Sequence, residues 1–248
     1  MGTIVDGLYR PDQLDKATYA FMSICILTPC ATHQLPARFC KGVANMMAYS
    51  WMNDLAVYQM GITERMVVDW ARNDLARTAM KTMNEYTGLP FTHFLWLDDD
   101  IMFNQDLAVK LACCEKDMVS ALYFGRSSPH YPVAYIQDKS EKYKHYPILE
   151  APRALFECDA VGFGAVLTAR TVFEQTPEPW FTIDYRAGED IAFCVKAREF
   201  GTRIWCDGTY RLGHIGIPPV VTEKDWQRTK TQDPERFAVS TKITLEQD

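Results

Sequence analysis

No stretch of this chain approaches the roughly twenty apolar residues that span a bilayer. The longest such run lies around AFMSICIL. The N-terminal MGTIVDGLYRPDQ lacks the charged-then-apolar pattern of a secretory signal, and Asp6 stands where N-myristoylation requires Ser or Thr. Both absences point to a soluble chain of the cytoplasm. The eight cysteines contain no C-x-x-C pair, which argues for reduced core thiols over a zinc site or disulfides. An excess of positive charge is also missing: 26 Lys and Arg face 32 Asp and Glu, a net charge of −6. Without a basic field the chain has no general attraction for nucleic acid, although a local groove is not excluded. Repeats and low-complexity linkers are lacking too. The length, 248 residues at 48% hydrophobic, fits one large domain or one domain with an extension.

The patterns that are present alternate. FMSICILT (21–28), LAVYQM (55–60), THFLWL (92–97) and DMVSALYF (117–124) read as buried strands. Between them, 36–54 opens with Pro at a helix start, 67–86 carries Val68, Ala71, Leu75, Ala79 and Met83 at helical spacing, and 106–115 is helical. This alternation predicts an α/β fold with a parallel sheet covered on both faces. Beyond residue 124 the regularity weakens. PVAYIQ (132–137) and the stretch to about 155 suggest a hairpin or loop excursion. AVGFGAVLTARTVF (160–173) is glycine-punctuated, GEDIAFCVKAREFG (188–201) is a short helix between glycines, and TRIWCD (202–207) is a late strand. From Thr222 onward a polar arm or terminal helix is expected.

Four places carry chemistry. LDDDI ends a strand in three acids, where open α/β sheets bind ligands. On an extended chain Asp98 and Asp100 face the same way, and two hard oxygen ligands suit Mg²⁺ or Mn²⁺. The alternative is a solvated acidic turn. GED (188–190) puts acids at a helix start, which the dipole favours in any case, while the preceding glycine permits close backbone approach; such a carboxylate beside a hydroxyl can serve as general base. His214, between glycines in LGHIG, is either an ordinary packed histidine or a third ligand beside Asp100. Asn73 and Arg77 share one helical face and reach a diphosphate or a base, unless Asp69–Arg72 and Asp74–Arg77 pair within the helix.

In order, ARNDLA (71–76), LDDDI (97–101), AVGFG (160–164), GED (188–190) and HIG (214–216) resemble the GT-A class of nucleotide-sugar-dependent glycosyltransferases. The likeness covers roughly residues 20–216 and is greatest to small stand-alone enzymes of bacteria and bacteriophages. In those, an RN helix, an LDDD strand end, a VGxG segment, a GED helix and a terminal HxG recur together. The resemblance implies a Rossmann-like GT-A domain over 1–221. It would have a nucleotide-binding half (about 20–124), an acceptor half with a smaller β region (about 125–221), and the arm or helix of 222–248. It implies that Thr28, Pro29, Arg72, Asn73, Arg77, Asp98 and Asp99 hold the nucleotide-sugar, with Gly162 and Gly164 beside the donor or acceptor sugar. Asp100, with Asp98 and His214, would bind Mn²⁺ or Mg²⁺. Asp190 would be the general base and Glu189 would orient its neighbours. The donor would be a UDP-sugar, and the transfer would invert the anomeric centre.

The acceptor is not implied. Basic residues Arg126, Lys139, Lys142, Lys144 and Arg153, interleaved with His130, Tyr131, Tyr135, Tyr143 and Tyr146, suit a nucleic-acid backbone and its bases. They suggest a hydroxymethylated pyrimidine in phage DNA, in a host cytoplasm if the chain is phage-encoded. A protein or glycan hydroxyl is the other reading. A nucleotidyltransferase is disfavoured because TPCATHQLPAR, after the first strand, has no glycine for a phosphate loop. A non-catalytic nucleotide- or glycan-binding module has no need of DxD, GED and HxG together.

Overall fold

The computed structural model describes residues 16–183, 187–216 and 220–232. The N-terminal stretch read for targeting signals, and residues 233–248 of the expected arm, lie outside them. The first half contains β1 (Ser23–Cys30), α1 (Ala37–Met52), β2 (Ala56–Glu64), α2 (Val68–Lys81), β3 (His93–Leu97), β4 (Ile101–Met102), α3 (Leu107–Ala112) and β5 (Met118–Leu122). The second half adds β6 (Ala134–Gln137), β7 (His145–Pro147), β8 (Leu155–Cys158), β9 (Ala160–Val161), β10 (Ala165–Ala169), α4 (Arg170–Gln175) and α5 (Glu189–Glu199). It closes with β11 (Ile204–Arg211), β12 (Gly213–Ile215), β13 (Val220–Val221) and α6 (Glu223–Gln232).

The central sheet is seven-stranded, in the order β2-β1-β3-β10-β5-β11-β8. β2, β1, β3, β5 and β11 share one direction, and β10 and β8 oppose it. The expected mostly parallel sheet is therefore present, with one departure at its centre: β10 runs antiparallel between β3 and β5. Strand alternation divides the core in two. Cys25, Leu27, Phe94 and Trp96 face one side with α2, α4 and α5. Ile24, Ile26, Leu95 and Leu97 face the other with α1 and α3. Both faces are covered, so the strands read as continuous apolar runs.

Several boundaries differ from the sequence reading, two of them with a local cause. β2 runs on to Glu64 because Gly61 packs within the strand; a Cβ there would stand 3.2–3.3 Å from Leu27 and Leu75. α2 stops at Lys81 because Asn84 takes the chain out of the helix. Its side chain bonds Ser23 Oγ and accepts from Tyr86 N–H, local bonds that compete with helix continuation.

Two small sheets complete the fold. β6 pairs with β7 and β9, which makes the 132–147 excursion a hairpin. β4 pairs with β12, which also pairs with β13. The late polar segment includes α6, whose Trp226 is buried in the main core. All eight cysteines are free. Among the described residues, no helix is long and apolar enough to cross a membrane.

Candidate active site

The three acids follow β3 into a turn, closed by Ile101 N–H to Asp98 O at 3.2 Å. The extended geometry expected for Asp98 and Asp100 is thus corrected: the turn gives each acid its own partners. Two neighbouring pairings fix this turn. Antiparallel β10 brings Gly164 O onto Asp98 N–H at 3.1 Å, and β12 sets Ile215 N–H on Asp100 O at 2.8 Å. β12 also places His214 opposite Ile101. Residues more than a hundred positions apart meet through a pairing of two residues.

Arg72 is the hub. It is 3% exposed. Its Nη2 donates to Asp98 Oδ1 at 2.9 Å and its Nε to Glu189 Oε1 at 3.2 Å. The guanidinium lies 5.6 Å from the Phe163 ring centroid and 6.0 Å from that of Trp96, within cation–π range. Burial works against its charge, but Asp98, Glu189 and Asp190 outweigh burial and raise its pKa. Asp98 is pushed up by burial; Arg72 pulls it back, and Asp100 and Glu189 push it up again. Negative charge here exceeds what one arginine balances.

α5 supplies the second carboxylates. It is pinned by Phe193, stacked on Phe181 at 4.7 Å and on Phe173 at 5.2 Å. Gly188 is its N-cap, and a Cβ there would stand 3.1 Å from Asp190 Oδ1, so the glycine makes room for the carboxylate. Asp190 Oδ1 accepts from Ile191 N–H at 2.7 Å. Burial, then the charge of Glu189, raises the Asp190 pKa to about 6 against the pull of Arg72. A base that titrates near neutrality is matched to proton transfer at physiological pH.

Asp100 Oδ1 lies 3.3 Å from His214 Nε2, and its Oδ2 accepts from Arg126 at 2.9 Å. Burial works upward on Asp100, but His214 and Arg126 prevail and lower its pKa. His214 Nδ1 lies 2.8 Å from Phe124 O. A carbonyl only accepts, so Nδ1 carries the proton and Nε2 is directed at Asp100, the arrangement that orients an imidazole for a metal. Among the described residues, no group of three or more His, Cys, Asp or Glu is arranged to hold an ion. Of the expected trio, Asp100 and His214 face each other, while Asp98 Oδ1 is paired with Arg72.

Other expected residues stand elsewhere. Asn73 does not open on the site: it donates to Asp69 O and Phe181 O and accepts from the N–H groups of Trp180 and Phe181. It anchors the 180–181 segment. Arg77 pairs with Glu178 at 2.7 Å on the surface. Thr28 is fully enclosed, its Oγ1 without a partner among the described residues, and Pro29 is half-buried beside it. Asp99 lies by the Cys30 thiol, and burial raises its pKa.

Gly162 and Gly164 face a side chain of the protein itself. A Cβ on Gly162 would stand 2.2 Å from Tyr123 Oη and 2.5 Å from Val133; one on Gly164 would stand 2.9 Å from the Tyr123 ring. Tyr123 Oη accepts from Gly164 N–H at 3.1 Å, and its ring meets His214 edge-on at 5.4 Å. Gly162→Ala is therefore expected to cost about 1–3 kcal/mol by overpacking. In urea denaturation its effect should be non-additive with Tyr123→Phe, which removes the nearest clashing atom; strict additivity would contradict the contact. The places of Tyr123, Phe124 and Arg126 at this site escaped the sequence reading. The first two looked like the end of an apolar strand, and Arg126 like part of a basic loop.

No family model matches the chain, and no curated protein matches it in sequence. Solved structures do match. A197 from STIV aligns over 91% of this chain and 100% of its own, at TM-score 0.51 and 14% identity. The crystal structure of GalNAc-T7 with UDP, GalNAc and Mn²⁺ aligns over 85% of this chain, at TM-score 0.52 and 12% identity. The match spans about half of GalNAc-T7, 48% of that chain. At these identities the likeness is one of fold: the chain has the Rossmann-like GT-A architecture.

Proposed function

We propose that the chain is a glycosyltransferase. It moves a sugar from a nucleoside diphosphate donor, UDP by the resemblance, to an acceptor hydroxyl with inversion at the anomeric carbon. The observation that carries this reading is the placement of Asp190: a carboxyl in the first turn of α5, beside the Arg72–Asp98–Glu189 cluster that stands at the β3 end, where such folds bind ligands, with burial and Glu189 raising its pKa. The neighbour GalNAc-T7, crystallised with UDP, GalNAc and Mn²⁺, supports the donor class.

The donor atoms fit a divalent ion. Asp100 offers carboxylate oxygen, and His214 offers an imidazole nitrogen whose proton is held on the other nitrogen. A mixed oxygen and nitrogen pair would suit Mn²⁺ better than Mg²⁺. When bound, the ion supplies Lewis-acid stabilisation of the departing diphosphate. The chain's own groups do the rest. Arg72 fixes Asp98 and Glu189, leaving Asp98 Oδ2 for a ribose or sugar hydroxyl. Asp190 takes the acceptor proton as the acceptor oxygen attacks the anomeric carbon from the face opposite the diphosphate. A single displacement inverts that centre. NMR of the first product formed from an α-linked UDP-sugar should show the β anomer; retention would remove Asp190 from this role.

Ion pairing favours a protein or glycan acceptor over DNA. Arg126 pairs with Asp100, Lys142 with Glu199 at 2.5 Å, Lys144 with Asp138 at 3.4 Å and Arg153 with Glu223 at 2.9 Å. Tyr131 packs against Trp226, and Tyr146 bonds Asp138. Cations already neutralised by the protein release few counterions from a polyanion. The hydroxymethylated-pyrimidine reading needs those pairs to open.

A further inference from the structure

Arg126 is the charged group at the site that the chemistry above leaves unused. Its Nη1 donates to Asp100 Oδ2 at 2.9 Å, while the other oxygen of that carboxylate faces His214. The Arg126 side chain is 62% exposed and that of Asp100 is 22% exposed. A largely exposed cation thus reaches in from solvent to a carboxylate the fold has mostly enclosed. The Arg126 backbone packs against Gly216, where a Cβ would stand 3.3–3.4 Å from its carbonyl oxygen and Cα, and the adjoining Gly125 N–H bonds Tyr131 O at 2.9 Å.

A guanidinium and a divalent ion compete for one carboxylate, because two cations so close repel each other. A long, exposed side chain can yield at little cost, and its planar fork matches phosphate oxygens. We propose that Arg126 is an exchangeable counter-cation. It neutralises Asp100 in the metal-free chain, gives up that carboxylate to an incoming divalent ion, and turns its guanidinium to the donor diphosphate. This inference rests on the metal and donor reading given above.

Calorimetry tests the exchange through two affinities that must move in opposite directions. MnCl₂ is titrated into metal-free wild type, Arg126→Ala and Arg126→Gln, and UDP is then titrated into each at saturating Mn²⁺. Without the competing guanidinium, Mn²⁺ should bind the variants about two- to fivefold more tightly, the scale of a largely exposed ion pair. UDP should bind them about tenfold or more weakly, the scale of a lost charge-assisted hydrogen bond. Unchanged or weaker Mn²⁺ binding in the variants, or unchanged UDP binding, overturns the exchange. Asp100→Ala separates the two possible failures. If wild type binds Mn²⁺, Asp100→Ala does not, and the Arg126 variants match wild type, the exchange alone is wrong. If none of the proteins binds Mn²⁺, the metal reading fails and the exchange falls with it.

Discussion

Replacing Asp190 with Asn is expected to lower turnover by about 10²–10⁴-fold, the range a positioned general base contributes, while donor affinity changes little. The amide keeps the shape and the bond from Ile191 N–H but cannot accept a proton. The wild type carries a second signature. Burial and Glu189 place the Asp190 pKa at about 6, and the group works in its ionised form. Turnover should therefore be level above about pH 7 and fall as the pH drops through 6, approaching tenfold per unit below it. A steady-state pH series on wild type, with single-turnover rates for Asp190→Asn, checks both. A rate unaffected by the substitution, or a profile flat through pH 6, would assign the proton transfer elsewhere.

Arg72→Ala should be the most destabilising single change at the site. Arg72 is 3% exposed and bonds two carboxylates, of which Glu189 is itself largely enclosed at 13%. Removing one partner of a buried pair leaves charge without compensation, which costs about 3 kcal/mol or somewhat more. Here two acids are stranded, with Asp190 and Asp100 close enough to add repulsion. Arg72→Lys should recover part of the loss, because a single ammonium cannot fork to Asp98 and Glu189 together. Urea unfolding of the three proteins measures this. A loss below about 1 kcal/mol for Arg72→Ala would reduce the hub to the standing of an exposed ion pair.

Much of this site was legible as residue types in order, and less of it as geometry. The strands of the parallel half were readable because burial on both faces makes them continuous apolar runs. The acids of LDDDI and GED were readable because charge directly after or before such elements marks an end. What could not be read were contacts made by strands of two and three residues: β4 and β12 are too short to carry a period, yet their pairing places His214 on Asp100. On α2 the four-residue spacing of Asn73 and Arg77 did put them on one face. That face meets the protein's own 178–181 segment, and periodicity does not reveal what lies opposite a helix. Arg72, one position away, turns to Asp98 instead of Asp69. The resemblance put the glycines of AVGFG beside a sugar, but the group that packs against them, Tyr123, is some forty residues distant along the chain.

The most direct test of the central claim is the melting temperature of the protein with UDP and Mn²⁺, repeated with EDTA and with Asp100→Ala. A ligand that binds only the folded state stabilises it by about 2.7 kcal/mol at a hundredfold excess over Kd. For a chain of this size that corresponds to a rise of about 5 °C or more. The account predicts this rise for wild type with UDP and Mn²⁺, and its loss with EDTA or in Asp100→Ala. A melting temperature that UDP and Mn²⁺ leave unmoved, or a rise that persists in Asp100→Ala, would contradict a nucleotide site built on the acids of LDDDI.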